Sequence, residues 1–343
     1  TQSRSSAASD VYKRQTQYHR RDLVRAFAAM AGTGLFPQLS RAADYPDRPI
    51  KFVVPFNAGG NVDGVGRLLA AAMGPLLGQP VVVDNKAGAG GSLGAAAVAQ
   101  GPADGYTLLV GSNGPLTVNP FVQAKQNYDP LKDFAPIVLA CVVPHVLLAN
   151  KDLPAKTLKD LIALSKREAV SCASSGIGSS THLTLERVNA STGGRLMHVP
   201  YRGGNSLVPD LLGGTIQTAC MEFSTALQLH KSGKARILAV ASPQRSPLAP
   251  DAPTFIESGV RDFTAYSFVG LLAPARTPEA AARKLIAAAQ AALAAPGMEE
   301  HLQALGVEPA SAAMRAPAAF GAYLHDEYER SRETVRVAGI RAE

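Results

Sequence analysis

From Ile50 onward the chain alternates between two hydrophobic periods. Ile50-Lys51-Phe52-Val53-Val54-Pro55 reads as a buried strand, and the glycine-bearing loop Asn57 to Asn61 follows it. From Val62 to Leu77 the apolar residues Val65, Leu68, Leu69, Ala72, Met73 and Leu76 recur at helical spacing. Asn61 is placed to cap that helix and Gly78 to end it. Val81 to Val83 gives a second strand, Leu93 to Gln100 a small-residue helix, and Tyr106 to Val110 a third strand. A βαβαβ order of this kind needs crossover helices, so it dictates a mostly parallel sheet covered on both faces.

The same grammar restarts further along. Thr157 to Lys166 is helical, Val170 to Ala173 is a strand, and His182 to Asn189 is a helix. Arg195 to Val199, Ile216 to Met221 and Ile237 to Ala241 are further strands. Between the two blocks lie the long apolar runs Ile137 to Ala149 and Tyr266 to Ala273, each suited to a strand passing from one half to the other. Thr277-Pro278-Glu279 then opens a helix, with threonine as the expected cap and proline at its first position. Two more helices follow, around Met298 to Leu305 and Pro317 to Val337. The expected architecture is α/β with two lobes joined by two crossover strands, each lobe a mostly parallel sheet flanked by helices. Lobe one is 44–144 plus 265–343, and lobe two is 145–264.

Charge separates the first segment from this body. The chain carries 34 basic and 27 acidic residues, but residues 1–43 hold Arg4, Lys13, Arg14, Arg20, Arg21, Arg25 and Arg41 against only Asp10 and Asp22. The remainder is nearly neutral and has no tryptophan, which argues against a nucleic-acid surface. His19-Arg20-Arg21-Asp22-Leu23-Val24-Arg25 resembles a twin-arginine export signal, followed by a weakly apolar stretch and the small residues Ala42 and Ala43. Cleavage after Ala42 or Ala43 and release into the periplasm are the expectation. Residues 1–15 do not look like the start of such a signal and take no part in the fold reading. Cys141, Cys172 and Cys220 lie in apolar runs, have no metal-ligand spacing, and read as small buried hydrophobes.

The polar small residues cluster just after strands, at 57–61, 88–92, 111–114, 174–181 and 201–206. In open α/β sheets that is where ligands bind. A helix N-terminus supplies unpaired N–H groups and partial positive charge, so it holds a carboxylate without Arg or Lys. Several such termini facing one cleft would make an anion site.

The residues themselves point the same way. Tyr45-Pro46-Asp47-Arg48-Pro49-Ile50, Val53-Val54-Pro55-Phe56 with Gly59-Gly60 and Asp63, Gly78-Gln79-Pro80-Val81, Gly88-Ala89-Gly90-Gly91, Asp104-Gly105-Tyr106-Thr107-Leu108, His198-Val199-Pro200-Tyr201 with Gly203, and Asp210-Leu211-Leu212-Gly213-Gly214 together resemble the tripartite tricarboxylate transporter receptor (Bug) family across 44–340. The resemblance implies a periplasmic-binding-protein fold of type II-like form. It implies a solute-binding protein that catalyses nothing, needs no cofactor or metal, and works as a monomer beside integral-membrane transporter subunits. Its ligand would be a small organic carboxylate held by backbone amides and hydroxyls. The expected contacts are Asn57, Gly59, Gly60, Gly91, Ser112 and Asn113 from lobe one, and Ser174, Ser175, Ser179, Ser180, Tyr201 and Gly203 from lobe two.

The chain also departs from the family. Asn57 and Ala58 replace two prolines, Ile177 replaces an asparagine between Gly176 and Gly178, and Met221-Glu222 stands where an Asp-Asn pair is common. Ile177 and Met221 would make the pocket more apolar and favour a guest with an apolar or aromatic body over one with a second carboxylate. Two other readings compete. The same fold can serve a membrane sensor kinase. Gly90-Gly91-Ser92-Leu93-Gly94 fits the G-x-S-x-G elbow of a serine hydrolase using Ser92, although the turn does not directly follow a strand. Asp63 is read as a first-turn helix charge that could hold a loop in shape, and His182 as a helix-start residue beside the cleft.

Overall fold

The computed structural model describes residues 45–340, and the leader with its expected cleavage site lies outside them. Strand β1 (Ile50–Val54) pairs in parallel with β2 (Val81–Asn85) on one side and β3 (Thr107–Gly111) on the other. Phe52, Val53 and Val54 are buried, as a strand covered on both faces requires. Helix α1 (Asn61–Leu77) packs onto it through Val65, Leu69 and Met73 and ends at Gly78 in the left-handed conformation. Its cap differs from expectation. Gly60 occupies the N-cap, Asn61 is already helical, and no side chain caps this end. The short helices α2 (Ser92–Ala99) and α3 (Asn119–Val122) complete this part.

Strand β4 (Phe134–Asn150) is the spine of the molecule. Its burial is nearly continuous, which only a strand flanked along its whole length can sustain. The chain then builds α4 (Leu158–Ser165), β5 (Val170–Ser174), α5 (Ser180–Thr192), β6 (Leu196–Pro200), α6 (Val208–Leu212), β7 (Thr218–Glu222), α7 (Phe223–Lys231) and β8 (Ala235–Val240). It returns through β9 (Tyr266–Pro274), α8 (Glu279–Ala294), α9 (Met298–Ala304), β10 (Glu308–Pro309) and α10 (Pro317–Ala338). The sheet order is β2-β1-β3-β9-β4-β7-β5-β6.

Register divides this sheet in two. The first part of β4, from Phe134 to Pro144, pairs antiparallel with β9 and β10, while His145 to Asn150 pairs with β7 and β8. The two halves are therefore α/β lobes sharing β4. At their junction three segments are tied together by main-chain hydrogen bonds: His145 N–H donates to Ala265 O at 2.9 Å, Ala241 N–H to His145 O at 2.8 Å, and Ala265 N–H to Ala241 O at 3.0 Å. The return passage runs through Ala265, and β9 lies wholly along β3 and the first part of β4.

Three details follow from local chemistry. Helix α4 opens with a capping box in which Thr157 Oγ1 accepts from Asp160 N–H and the Asp160 carboxylate accepts from Thr157 N–H. Thr277 is not the cap of α8. Pro278 holds that position, and Thr277 Oγ1 is buried with no partner. Met221 lies fully buried among Val146, Leu148, Leu207 and Ile237, so its side chain belongs to a core and not to a ligand pocket.

Candidate functional site

The loops that follow β1, β3, β5 and β6, and the end of β7, lie toward the β4 junction, because the parallel strands of both halves point their C-terminal ends there. What each loop offers depends on which of its polar groups are already spent.

The 57–60 loop is held by Asp63. One carboxylate oxygen accepts from Gly59 N–H and from Arg67 Nε, and the other accepts from Asn85 Nδ2, each at 2.9 Å. Burial alone would raise this carboxyl. The hydrogen bonds from Arg67, Gly59 and Asn85 outweigh it and hold the group below its ordinary value. Asn85 Nδ2 also donates to Phe56 O at 3.0 Å, so β2 and α1 together fix the loop. Gly59 thus spends its N–H inside the protein. The faces of Gly59 and Gly60 stay open, since a side chain at either would meet nothing within 4 Å. Asn57 is exposed beside them.

Gly91 and the residues after β3 are packing elements. A side chain at Gly91 would strike Pro115 at 3.0 Å and Phe56 at 3.1 Å. Asn113 Nδ2 donates to Tyr266 O and Asn113 Oδ1 accepts from Phe268 N–H at 2.7 Å, which stitches the end of β3 to β9. Ser112 is buried, and its carbonyl accepts from Leu116 N–H. Ser92 Oγ is engaged by Asn119 Nδ2 at 2.8 Å and Gln123 Oε1 at 2.9 Å, with Tyr128 Oη at 3.4 Å. Among the described residues no histidine or carboxylate bonds it, so it lacks the base a hydrolase nucleophile needs.

The loop after β5 is wound tightly by its own hydroxyls. Ser174 Oγ accepts from Gly176 N–H at 3.1 Å and meets His198 Nε2 at 2.6 Å. Ser175 N–H donates to Thr181 Oγ1, and Gly178 N–H donates to His182 Nδ1 at 3.0 Å. The His182 and His198 rings stack with centroids 3.7 Å apart. Burial, with a smaller contribution from His182, lowers His198 to about 4, so it is neutral at pH 7. Ser179 caps α5, its Oγ accepting from His182 N–H, while its carbonyl accepts from Leu183 N–H. That leaves the Ser180 and Thr181 N–H groups as donors at the positive end of a 13-residue helix.

The loop after β6 remains. Tyr201 Oη donates to Asp210 Oδ2 at 2.5 Å and is thereby committed to the loop after β6. Gly203 holds φ at +107°, has open space where a side chain would be, and donates its N–H to Ser175 O.

At the junction the structure brings together residues that the loop pattern does not reveal. Ser267 Oγ, from β9, lies 3.1 Å from Ser180 Oγ, 2.9 Å from His145 Nε2 and 3.2 Å from Glu222 Oε1. His145 Nδ1 meets Thr184 Oγ1 at 2.7 Å. Burial pushes His145 down to about 3, with a further push from Arg187, so the ring is uncharged at neutral pH. Burial raises the Glu222 carboxyl against the lowering effect of the Ser267 hydrogen bond. Gly204 stands over this group, its missing side-chain position 3.5 Å from Ser175 Oγ and 3.9 Å from Glu222 Oε2.

Of the expected contacts, Ser175, Ser180 and Gly203 gather around this junction, and Ser174, Ser179 and Tyr201 shape the loops that carry them. Asn113 and Ser180 line a small cavity of about 30 Å³ with His145, Thr184, Arg187 and Glu327. A larger cleft of about 470 Å³, lined by Phe223, Arg245, Tyr266, Gln303 and Glu308 among others, contains none of the expected contacts. Ile177 is 45% exposed, so it sits at the surface of its loop. No helix among the described residues is long and apolar enough to cross a membrane.

Comparison with known proteins bears directly on this arrangement. BugT of Bordetella pertussis is 36% identical over 303 residues, covering 88% of this chain and 92% of that protein. The solved structure of the periplasmic binding protein BugD, 36% identical, superposes with a TM-score of 0.79 and covers 87% of this chain and 100% of that one. The R. palustris protein Rpa4515, solved with adipate, is 31% identical with a TM-score of 0.81, covering 88% and 100% respectively. The model of the tripartite tricarboxylate transporter family receptor matches residues 65–339. Over that span and at those identities, the chain belongs to the tripartite tricarboxylate transporter receptor family.

Proposed function

We propose that the protein is an extracytoplasmic receptor that captures a small organic carboxylate between its lobes and presents it to the membrane subunits of a tripartite tricarboxylate-type transporter. The observation that carries this reading is the N-terminus of α5. Its Ser180 and Thr181 N–H groups carry no hydrogen bond to another described residue, and Ser180 Oγ reaches across to Ser267 at 3.1 Å. A carboxylate at that point gains the helix dipole and two main-chain donors without a cationic side chain. The structure of Rpa4515 with adipate supports a carboxylate guest in this fold. The twin-arginine-like segment and the periplasmic relatives support export.

Binding here is a population shift. On this reading the two lobes move as two bodies about the β4 junction, and the guest favours the closed arrangement because only that arrangement touches it from both sides. A thermal-shift screen against amino acids, dicarboxylates, tricarboxylates and aromatic acids tests the reading. A guest at about one hundred times its Kd adds roughly 2.7 kcal/mol of stability, a rise of several degrees. A melting temperature unmoved by every class would refute it.

A further inference from the structure

The Glu222 carboxylate has no role in turn-building or capping that would account for its placement. It ends β7, provides no side-chain cap to α7, and sits partly buried against the opposite lobe. One of its oxygens is spoken for. A consistent set of protons runs from Thr184 Oγ1–H to His145 Nδ1, from His145 Nε2–H to Ser267 Oγ, from Ser180 Oγ–H to Ser267 Oγ, and from Ser267 Oγ–H to Glu222 Oε1. This chain satisfies every member and delivers a single hydrogen bond to the carboxylate. Among the described residues, no hydrogen bond reaches Oε2 and no salt bridge includes Glu222.

Beside Oε2 lies a second unspent group. Ser175 Oγ is buried and has no partner. The two flank the space left by the absent side chain of Gly204, at 3.9 Å and 3.5 Å from it. Buried acids are stable when paired, and a buried hydroxyl is stable when bonded. Here both atoms approach the Cβ position that Gly204 lacks, and the Ser175 N–H is bonded to Thr181 Oγ1 in the first turn of α5.

Resting on the carboxylate-receptor reading above, we propose that Glu222 is the specificity-determining residue of the site: with Ser175 Oγ it seats an ammonium group of the guest, so the protein selects carboxylates that carry an amino group beside the carboxylate over their des-amino and dicarboxylate counterparts. The negative end of such a guest meets the Ser180 and Thr181 N–H groups, and its positive end meets Glu222. A guest with a second carboxylate in place of the amine would set like charges together.

The test is titration calorimetry with matched pairs: L-glutamate and glutarate, L-leucine and 4-methylpentanoate, L-phenylalanine and 3-phenylpropanoate. In the unsubstituted protein the amino member of at least one pair binds, and binds about thirtyfold or more tighter than its partner, the usual worth of a desolvated charge pair. Glu222→Gln keeps the shape and the acceptor for Ser267 and removes that preference. Gly204→Ala, at a position without positive φ, fills the ammonium seat and removes it as well while leaving the fold intact. If glutarate or either other des-amino acid binds as tightly as its amino partner, the receptor reading stands and the Glu222 assignment falls. If no member of any pair binds, while other carboxylates raise the melting temperature, the assignment falls alone. If no carboxylate of any kind binds, both fall.

Discussion

Asp63→Ala should loosen the 57–60 loop and cost the whole protein measurable stability. Three groups donate to this carboxylate at 2.9 Å: Gly59 N–H, Arg67 Nε and Asn85 Nδ2. A hydrogen bond to an ionised acceptor contributes about 1.5–3 kcal/mol. The Arg67 side chain is 53% exposed and returns to water when released, so its loss adds little. Gly59 N–H is also on an exposed loop and rehydrates in part. The Asn85 amide is the costly loss, because it is partly buried and bridges Asp63 to the Phe56 carbonyl. The expected net loss is about 2–4 kcal/mol for alanine, and roughly half that for asparagine, which keeps the volume and one acceptor. Urea unfolding at pH 7 measures it, and exchange of the Gly59 amide localises it. The sign with pH is fixed by linkage. The folded carboxyl lies below its ordinary value of 3.8, so its contribution is complete above that pH and is lost as the pH falls through the lower folded value. Asp63→Asn should therefore flatten the acid limb of the stability curve below about pH 3.8. An alanine variant within about 0.5 kcal/mol of the parent, or a Gly59 amide that exchanges no faster, would refute the account.

Two further perturbations probe how the halves meet and what their cores hold. Gly178 has φ +68°, and a side chain there would collide with Val122 across the junction, so Gly178→Ala should cost about 1–3 kcal/mol by overpacking and strain. Adding Val122→Ala should recover part of that loss, and strict additivity in urea midpoints would show that the contact is not the cause. Burial pushes the Cys141 and Cys172 thiols up to about 12 and Cys220 well above its ordinary value. A disulfide reagent at pH 8 should leave all three untouched in the native protein and label all three in urea, and fast native labelling would refute the burial.

The fold was legible because it is repetitive. A helical spacing such as Val65, Leu69, Met73 reports a single physical demand, that one face be dry, and the structure honours it to within a residue or two. What the pattern missed was short or polar-led. Helix α7 begins Phe223-Ser224-Thr225 and shows no clean period at its start, and β10 is two residues held only by pairing to β4. Caps were legible where a box exists, at Thr157 and Asp160, and illegible at Thr277, where the chain lets proline take the position and leaves the hydroxyl buried.

The site divides differently, and the reason is stoichiometric. A loop rich in serine, glycine and tyrosine signals both a ligand site and a tight turn, since the same hydroxyls and amides serve either end. Ser174, Ser179, Asn113 and Tyr201 are consumed by His198, the α5 cap, β9 and Asp210, and so shape the loops that others expose. The more telling signal ran through the apolar strands. His145 interrupts the run from Ile137 to Ala149, and Ser267 that from Tyr266 to Ala273, each at the point where a strand meets the junction between lobes. A polar residue inside an otherwise apolar strand must find a partner or cost stability. The two strands that carry them pair in the structure. At 2.9 Å they do meet, and the chain of hydroxyls they anchor ends on the Glu222 carboxylate. Position in the strand pattern, more than residue type in the loops, marked where the two halves converge.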